Sequence, residues 1–372
     1  MSDQPLSEIG YQSAARLEKL NKLRNSGSDP FTIERYERTD SAASAASEER
    51  WPSSEGRAVS LAGRLASVRL MGKAAFADLR DASGRIQFYV RREEIGDAAY
   101  DRFKDLDAGD IIGIRGKLFR TRTGEISVHG EEVLLLAKAL KPVPLGKVDE
   151  SGVSHSSLAD QEVRYRKRYL DLIANPASQE MLAMRCRLPG AIRRFLDERG
   201  FVEVETPILQ DIAGGASARP FVTHHNALDH EFKLRISLEL YLKRLIIGGF
   251  ERVYEIGRVF RNEGISTRHS PEFTMMELYQ AYANLEDIME LVESLYAYVA
   301  EAVTGSATIR CQNREVDLAR RPWRRLPMLQ GIQEYAGIAP ESLTSLETAR
   351  DASRAAGVTF DLAKEHTLGG LI

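Results

Sequence analysis

A chain of 372 residues with 51 Lys and Arg against 54 Asp and Glu has a formal net charge of -3, so nucleic-acid binding is excluded as a bulk property and confined to a local patch. Its 43% hydrophobic and 28% charged content is that of a globular protein of two or three domains. Two cysteines far apart, Cys186 and Cys311, exclude a disulfide framework and a zinc pattern, and no run approaches the roughly 20 apolar residues of a membrane span, which leads to the expectation of a reducing, cytoplasmic compartment.

In chain order, residues 1–56 read as an N-terminal helix and a mobile linker. The helix, at 14–24, is cationic, with Leu17, Leu20 and Leu23 on a narrow stripe, and both a solvated helix and an RNA-binding arm account for it. Residues 39–56 are rich in Ser, Ala and Glu with almost nothing to bury, the composition of a mobile linker. Residues 57–145 hold five short alternating strands, at 59–68, 75–79, 86–90, 111–118 and 126–135, with a helical piece at 98–106 between the third and fourth. That order fits an all-β OB-fold barrel. On its second strand Phe76 shares a face with Asp78 and Arg80, while Ala75, Ala77 and Leu79 point the other way. On the third, Ile86, Phe88 and Val90 fill the barrel and Gln87 and Tyr89 face outward. An outward aromatic beside an amide is equipped to stack on a base and read its edge, although an ordinary barrel with an exposed Phe gives the same pattern. Arg69, Arg120 and Arg122 are weaker candidates for phosphate contacts, or simply solvated.

Residues 146–177 read as a polar connector ending in a basic helix with Arg164, Arg166, Lys167 and Arg168, and residues 178–372 as an α+β domain. A helix is expected from Ser178 to a stop at Gly200, kinked at Pro189, because a mid-helix proline removes a backbone bond at a cost of about 3 kcal/mol. His224 and His225 are adjacent without other ligand types at suitable spacing, and are read as loop or structural residues.

The stretch 253–279, VYEIGRVFRNEGISTRHSPEFTMMELY, is the most informative part of the chain. It reads as an outgoing strand, a charged loop and a returning strand. Period-2 alternation puts Phe273, Met275, Glu277 and Tyr279 on one face and Thr274, Met276 and Leu278 on the other. Arg261 follows Val259 on the outgoing face with Glu263, and its guanidinium can grip a phosphate or carboxylate bidentately. Arg268 and His269 lie in the loop, and Phe273 can stack on a base. A phosphate grip beside a carboxylate pocket suits an enzyme acting on a nucleotide and a cationic substrate. A salt-bridged hairpin rim accounts for the same spacing.

FRNEGISTRHSPEFTMMELY resembles motif 2 of class II aminoacyl-tRNA synthetases, in the version carried by lysyl-tRNA synthetases. The resemblance extends through FVEVETPIL at 201–209, similar to motif 1, GGASARPFVTHHNALD at 214–229 and LRISLELYLKRLIIGGFERVYEIGR at 234–258. GKAAFADLRDASGRIQFYV resembles the anticodon-binding barrel of the same family. It implies an OB-fold followed by an antiparallel-sheet catalytic domain. It further implies lysine activation by ATP to lysyl-adenylate, with transfer to tRNA(Lys), in a homodimer formed through motif 1. The roles it implies are Phe76 and Gln87 on the uridine-rich anticodon; Gly215 and Glu239 on the α-amino group of L-lysine; and Glu277 and Tyr279 on its side-chain ammonium. Arg261 is implied as the catalytic residue, on the α-phosphate and the substrate carboxylate, with Glu263 by the adenine, His269 on the distal phosphates and Phe273 stacked on adenine. Burying an ammonium requires such carboxylates.

The sequence departs from the family at Leu238 and Ser270, where proline and asparagine are usual, and at Pro189. The departure at Leu238 is expected to loosen the backbone presenting Glu239, and that at Ser270 to alter a loop hydrogen bond. A helix follows motif 2, capped by Asn284, with Leu285, Ile288, Met289, Val292, Leu295 and Val299 as its stripe and Gly305 as its stop. Resemblance weakens from Thr308 onward and the chain closes on LGGLI, while the family's motif 3 and magnesium ligands fall beyond Ile372. The catalytic domain is therefore expected to be incomplete and the chain a fragment inactive alone, with no metal ligand of its own. A non-enzymatic tRNA-binding protein and an aspartyl or asparaginyl synthetase are the alternative readings.

Overall fold

The first helix, α1 (Leu6–Asn25), docks on the body that follows it. Leu20 is buried, Arg16 donates to the carbonyls of Ala139 and Ala108 at 2.9 and 3.1 Å, and Lys19 pairs with Asp107 at 2.8 Å. These partners lie more than 80 residues away, out of reach of a local pattern, so the helix expected to be solvated or to reach for RNA is committed to packing. The computed structural model describes residues 6–51, 53–145, 147–148, 154–155, 158–266, 268–358 and 364–372, in two units, Met1–Ala183 and Met184–Ile372.

In the first unit β1 (Ala58–Met71), β2 (Ala74–Arg80), β3 (Arg85–Arg91), β4 (Ile111–Arg120) and β5 (Ile126–Ala137) close into a barrel in the order β1-β2-β3-β5-β4. The alternation in sequence is the alternation in space. Ala75, Ala77, Leu79, Phe88 and Val90 are fully buried, and α2 (Asp97–Lys104) adds Tyr100 and Phe103 to the core. The mobile-linker expectation for 39–56 is corrected. Ser41 caps a helical turn, Ala42–Ala45, whose two end residues lie in the barrel core, and Arg57 holds Asp40 bidentately at 2.8 and 2.9 Å. An alanine buries only a methyl, so a Ser and Ala rich segment can pack closely without the large apolar side chains that mark a core in sequence.

Most of the connector 146–157 falls outside the described residues. The basic helix is two helices, α3 (Gln161–Arg166) and α4 (Arg168–Ala174), and three of its cations are occupied: Arg164 and Arg168 donate to the buried Asp171 at 2.7 and 2.6 Å, and Arg166 pairs with Glu162 at 2.8 Å. Burial opposes ionisation of Asp171, but hydrogen bonds from Asn175, Arg164, Ser178 and Arg168 outweigh it and hold its pKa to about 2. Helix α5 (Pro176–Asp197) runs through Pro189, so the proline does not end it.

The second unit is built on β6 (Val202–Glu203), β7 (Leu209–Gln210), β8 (Val222–His225), β9 (His230–Leu234), α6 (Glu239–Ile247), β10 (Arg252–Phe260), β11 (Glu272–Gln280) and α7 (Leu285–Thr304). Strands β10 and β11 pair antiparallel, with Glu255 opposite Glu277 and Val259 opposite Phe273, and β6 joins β10 in parallel. One face of this sheet packs Tyr254, Ile256, Met276 and Leu278 against Phe195 and Leu196 of α5 and Leu295 and Val299 of α7. The other packs Val253, Val259, Phe273, Met275 and Tyr279 against Leu238 and Leu242. As the sequence indicates, α7 starts at an Asn284 capping box and stops at Gly305, whose φ of 81° suits glycine. Beyond it the final turn, Leu368–Leu371, places Leu371 with Ile338, Leu343 and Ala349.

Candidate active site and nucleic-acid interface

On the outer face of the barrel Phe76 is one ring of a band. Its centroid lies 4.7 Å from that of Tyr89, which in turn lies 5.7 Å from His129 and 6.4 Å from Phe119. Strand alternation could have found Phe119 and His129, since each flanks a buried residue, Leu118 and Val128, but only the closed barrel sets four strands' outward rings side by side. Gln87 lies on the same face yet is only 7% exposed, with its Oε1 accepting from the Ser127 hydroxyl at 3.3 Å. Of the weaker phosphate candidates, Arg120 is already engaged by Glu48 at 2.5 Å and by the Trp51 ring at 5.1 Å.

In the second unit the loop between β10 and β11 folds back where the Arg261 N–H donates to the Pro271 carbonyl at 2.8 Å. The fold brings Arg261, Glu263, His269 and Phe273, the four residues expected to serve ATP, together with Arg268 into the lining of one cleft of about 260 Å³. The Arg261 guanidinium stands over the Phe273 ring at 5.3 Å, with its Nε 3.4 Å from the Ile236 carbonyl. The Ser266 hydroxyl accepts the N–H groups of Arg268 and His269 and lies 2.8 Å from His269 Nδ1. A hydroxyl that accepts twice has its proton free for Nδ1, and this puts the imidazole proton on Nε2 as a donor. Ser270 donates to the Glu272 carbonyl at 2.9 Å, so the expected change at this position is a hydroxyl closing the loop.

Next to the cleft, β11 and the start of α6 build an acidic pocket. Glu277 Oε1 accepts from the Ser237 hydroxyl at 2.8 Å and from the Leu238 N–H at 3.1 Å, and Oε2 accepts from Tyr279 at 3.3 Å. Burial, with the neighbouring Glu277 and Glu239 charges, pushes the Tyr279 phenol well above its ordinary range, so it stays a donor. Gly215 closes the pocket with φ at +84°. A Cβ there would lie 2.8 Å from both the Ser237 hydroxyl and Glu239 Cβ, so only glycine lets its backbone approach this closely. Glu239 is also drawn into an i,i+4 pair with Lys243 at 2.6 Å, a partner that a bound ammonium would share or displace. The expectation for Leu238 is corrected. It is 1% exposed in the apolar cluster of α6, so a buried side chain anchors the segment presenting Glu239.

Beneath the pocket lies a feature that spacing does not show. Arg235 and Glu255, each 3% exposed, pair at 2.6 Å, and Thr206 donates to the second oxygen of Glu255 at 2.7 Å. The guanidinium also donates to the carbonyls of Arg258 and Thr206. His224 and His225 are exposed on β8, where the Leu228 N–H donates to His225 Nδ1 at 3.2 Å. Among the described residues no three His, Cys, Asp or Glu side chains group to hold a metal ion.

Residues 160–365 match the model of the class II tRNA synthetases (D, K and N), and residues 59–136 match that of the OB-fold nucleic acid binding domain. Among curated proteins the chain is similar to the lysine–tRNA ligase of Moorella thermoacetica, 49% identical over 95% of this chain and 70% of the relative. It is also similar to the lysine–tRNA ligase of a Thermoanaerobacter species, at 51% over 89% and 64%, and to that of Bacillus cereus, at 47% over 97% and 69%. The chain thus spans about two thirds of the length of these relatives.

Proposed function

Because the chain belongs to the class II tRNA synthetases of the aspartate, lysine and asparagine group, we propose that it is the lysine member: a ligase that uses ATP to activate L-lysine and passes it to tRNA(Lys). The observation that carries lysine over aspartate is the pocket of Glu277, Tyr279 and Glu239 beside the Arg261 cleft. A side chain ending in an ammonium is compensated there, whereas the carboxylate of aspartate would face like charge.

In this reading the lysine carboxylate attacks the α-phosphorus of ATP, pyrophosphate leaves, and a ribose hydroxyl at the tRNA terminus then attacks the adenylate's carbonyl carbon and releases AMP. The protein's part is positioning and charge stabilisation. Arg261 spreads charge off the α-phosphate, Phe273 stacks on adenine with Glu263 at its edge, and the His269 Nε2–H meets a distal phosphate. Gly215 and Glu239 take the α-ammonium, and Glu277 and Tyr279 the ε-ammonium. No step is assigned to a metal. A homodimer through the segment around 201–209 is supported by the exposure of Val202, Ile208 and Leu209, and a cytoplasmic location belongs to the same reading. Calorimetric titration of the 372-residue chain with L-lysine, L-aspartate and L-asparagine tests the substrate, with binding expected for lysine alone; preference for either of the others would overturn it.

The barrel, in the same reading, holds the anticodon, with a base stacked on Phe76 and Gln87 beside it. Phe76→Ala is expected to weaken tRNA(Lys) binding at constant salt by about 1–3 kcal/mol, the usual worth of one base on one ring. An unchanged filter-binding affinity would remove Phe76 from the interface.

A further inference from the structure

We propose that His129 and Phe119 form a second base seat on the barrel, beside the one at Phe76, and that the His129 imidazole selects an unpaired base with a ring N–H, uracil or guanine. The proposal rests on the reading of the barrel as the domain that holds the anticodon.

The strand register sets the groups in a row. Phe76 of β2 stands opposite Tyr89 of β3, Tyr89 opposite His129 of β5, and His129 opposite Lys117 of β4, so ring follows ring around the outer face and a cation ends the row. Phe119 lies two residues past Lys117 on the same face of β4, and its centroid is 5.8 Å from that of His129. Both rings are half-buried, with area left for a base to cover. Cations flank the seat. Lys117 is shared with Glu131 at 3.2 Å, while Arg122, in the turn after β4, is exposed and pairs with no carboxylate among the described residues. Rings between cations suit a base and the phosphates on either side of it.

The edge chemistry comes from Glu94, in the helical turn Arg92–Ile95 that follows β3. Its Oε2 lies 2.5 Å from His129 Nε2. A carboxylate only accepts, so the proton of the neutral imidazole stays on Nε2 and Nδ1 is left as an acceptor. Among the described residues the buried side-chain polar atoms without a hydrogen bond are Asp78 Oδ1 and Arg350 Nε, so Nδ1, which makes no bond of its own, is open to solvent. An acceptor at the edge of the seat takes the N3–H of uracil or the N1–H of guanine, whereas cytosine and adenine present a lone pair at those positions. The Phe76 seat is the converse. Gln87 Oε1 is tied to the Ser127 hydroxyl at 3.3 Å, which leaves the amide N–H groups to donate to a base oxygen. Two neighbouring seats with opposite edges read two bases of one strand.

The test is filter binding of the 372-residue chain, at one salt concentration, to tRNA(Lys) transcripts carrying uridine or cytidine at each anticodon position in turn. The proteins are the parent, Phe76→Ala, Phe119→Ala and His129→Phe. Phe119→Ala is expected to weaken binding roughly tenfold, as for the loss of one stacked base. His129→Phe keeps a ring and should keep most of the affinity. At one position, other than the one where Phe76→Ala alters the preference, its preference for uridine over cytidine should fall from about tenfold to none. A histidine that merely packs against its neighbouring rings would leave every preference untouched in His129→Phe, and that result overturns the proposal. So does a preference for cytidine at the His129-dependent position, which would make Nδ1 a donor. Should Phe119→Ala not fold, as read from its melting curve, His129→Phe decides alone. Weaker binding in Phe76→Ala, with Phe119→Ala and His129→Phe both like the parent, removes the second seat and leaves the anticodon reading standing. No binding of tRNA(Lys) by the parent overturns that reading and the seat with it.

Discussion

Arg235→Met is expected to destabilise the second unit by about 3–5 kcal/mol, the usual consequence of removing one partner from a buried pair. Glu255 is 3% exposed and its Oε1 has the guanidinium at 2.6 Å, so after the substitution only the Thr206 hydroxyl compensates its charge. The position makes matters worse. Glu255 sits directly opposite Glu277 across the β10 and β11 ladder, and like charges opposite one another are destabilising unless a cation intervenes. Gly257 belongs to the same arrangement, since a Cβ there would lie 2.2 Å from Arg235 Nη2 and displace the guanidinium. Urea unfolding of the single variant and of the double variant Arg235→Met, Glu255→Leu is the measurement. Replacing both charges with apolar groups should recover most of the loss, because a paired buried charge is worth little more than a well-packed hydrophobe. A single-variant loss below about 1 kcal/mol would show that the charge is not buried as described.

Glu277→Gln should weaken L-lysine by about 2–5 kcal/mol, or roughly 30-fold to a few thousandfold, while ATP binds as before. The carboxamide keeps the shape of the side chain, and an oxygen at the Oε1 position can still accept from Ser237 and Leu238. What disappears is the charge that compensates an ammonium out of water. Glu263, His269 and Phe273, the residues proposed to hold ATP, line a separate cleft with Arg261, so their ligand should not sense the change. Calorimetry with each ligand separates the two outcomes, and equal weakening of lysine and ATP would contradict the assignment of Glu277 to the amino-acid side chain.

Much of the site was legible before folding because its groups come from neighbouring stretches of chain. Arg261, Glu263, His269 and Phe273 span one hairpin loop, and strand alternation from Phe273 puts Glu277 and Tyr279 on its face. The barrel was legible for the same reason, since period-2 burial of Ile86, Phe88 and Val90 depends only on the pleat. Less legible were features whose partners lie far off in sequence. The docking of α1 depends on Arg16 meeting carbonyls 92 and 123 residues away, and the hold on Glu277 on a serine 40 residues before it. The linker failed for a different reason: methyl groups of Ala42 and Ala45 complete a core without raising local hydrophobicity.

By itself the sequence carried the family resemblance, in motifs spread along the chain, and the residue types of the hairpin site, whose strand, loop and strand follow a periodicity the backbone imposes. Only the tertiary structure decided how the buried charges are compensated: Arg235 under Glu255, Ser237 and Leu238 on Glu277. A buried charge is tolerated only by groups within hydrogen-bond reach, and for most of these charges the reach is set by how sheet and helix pack and not by distance along the chain.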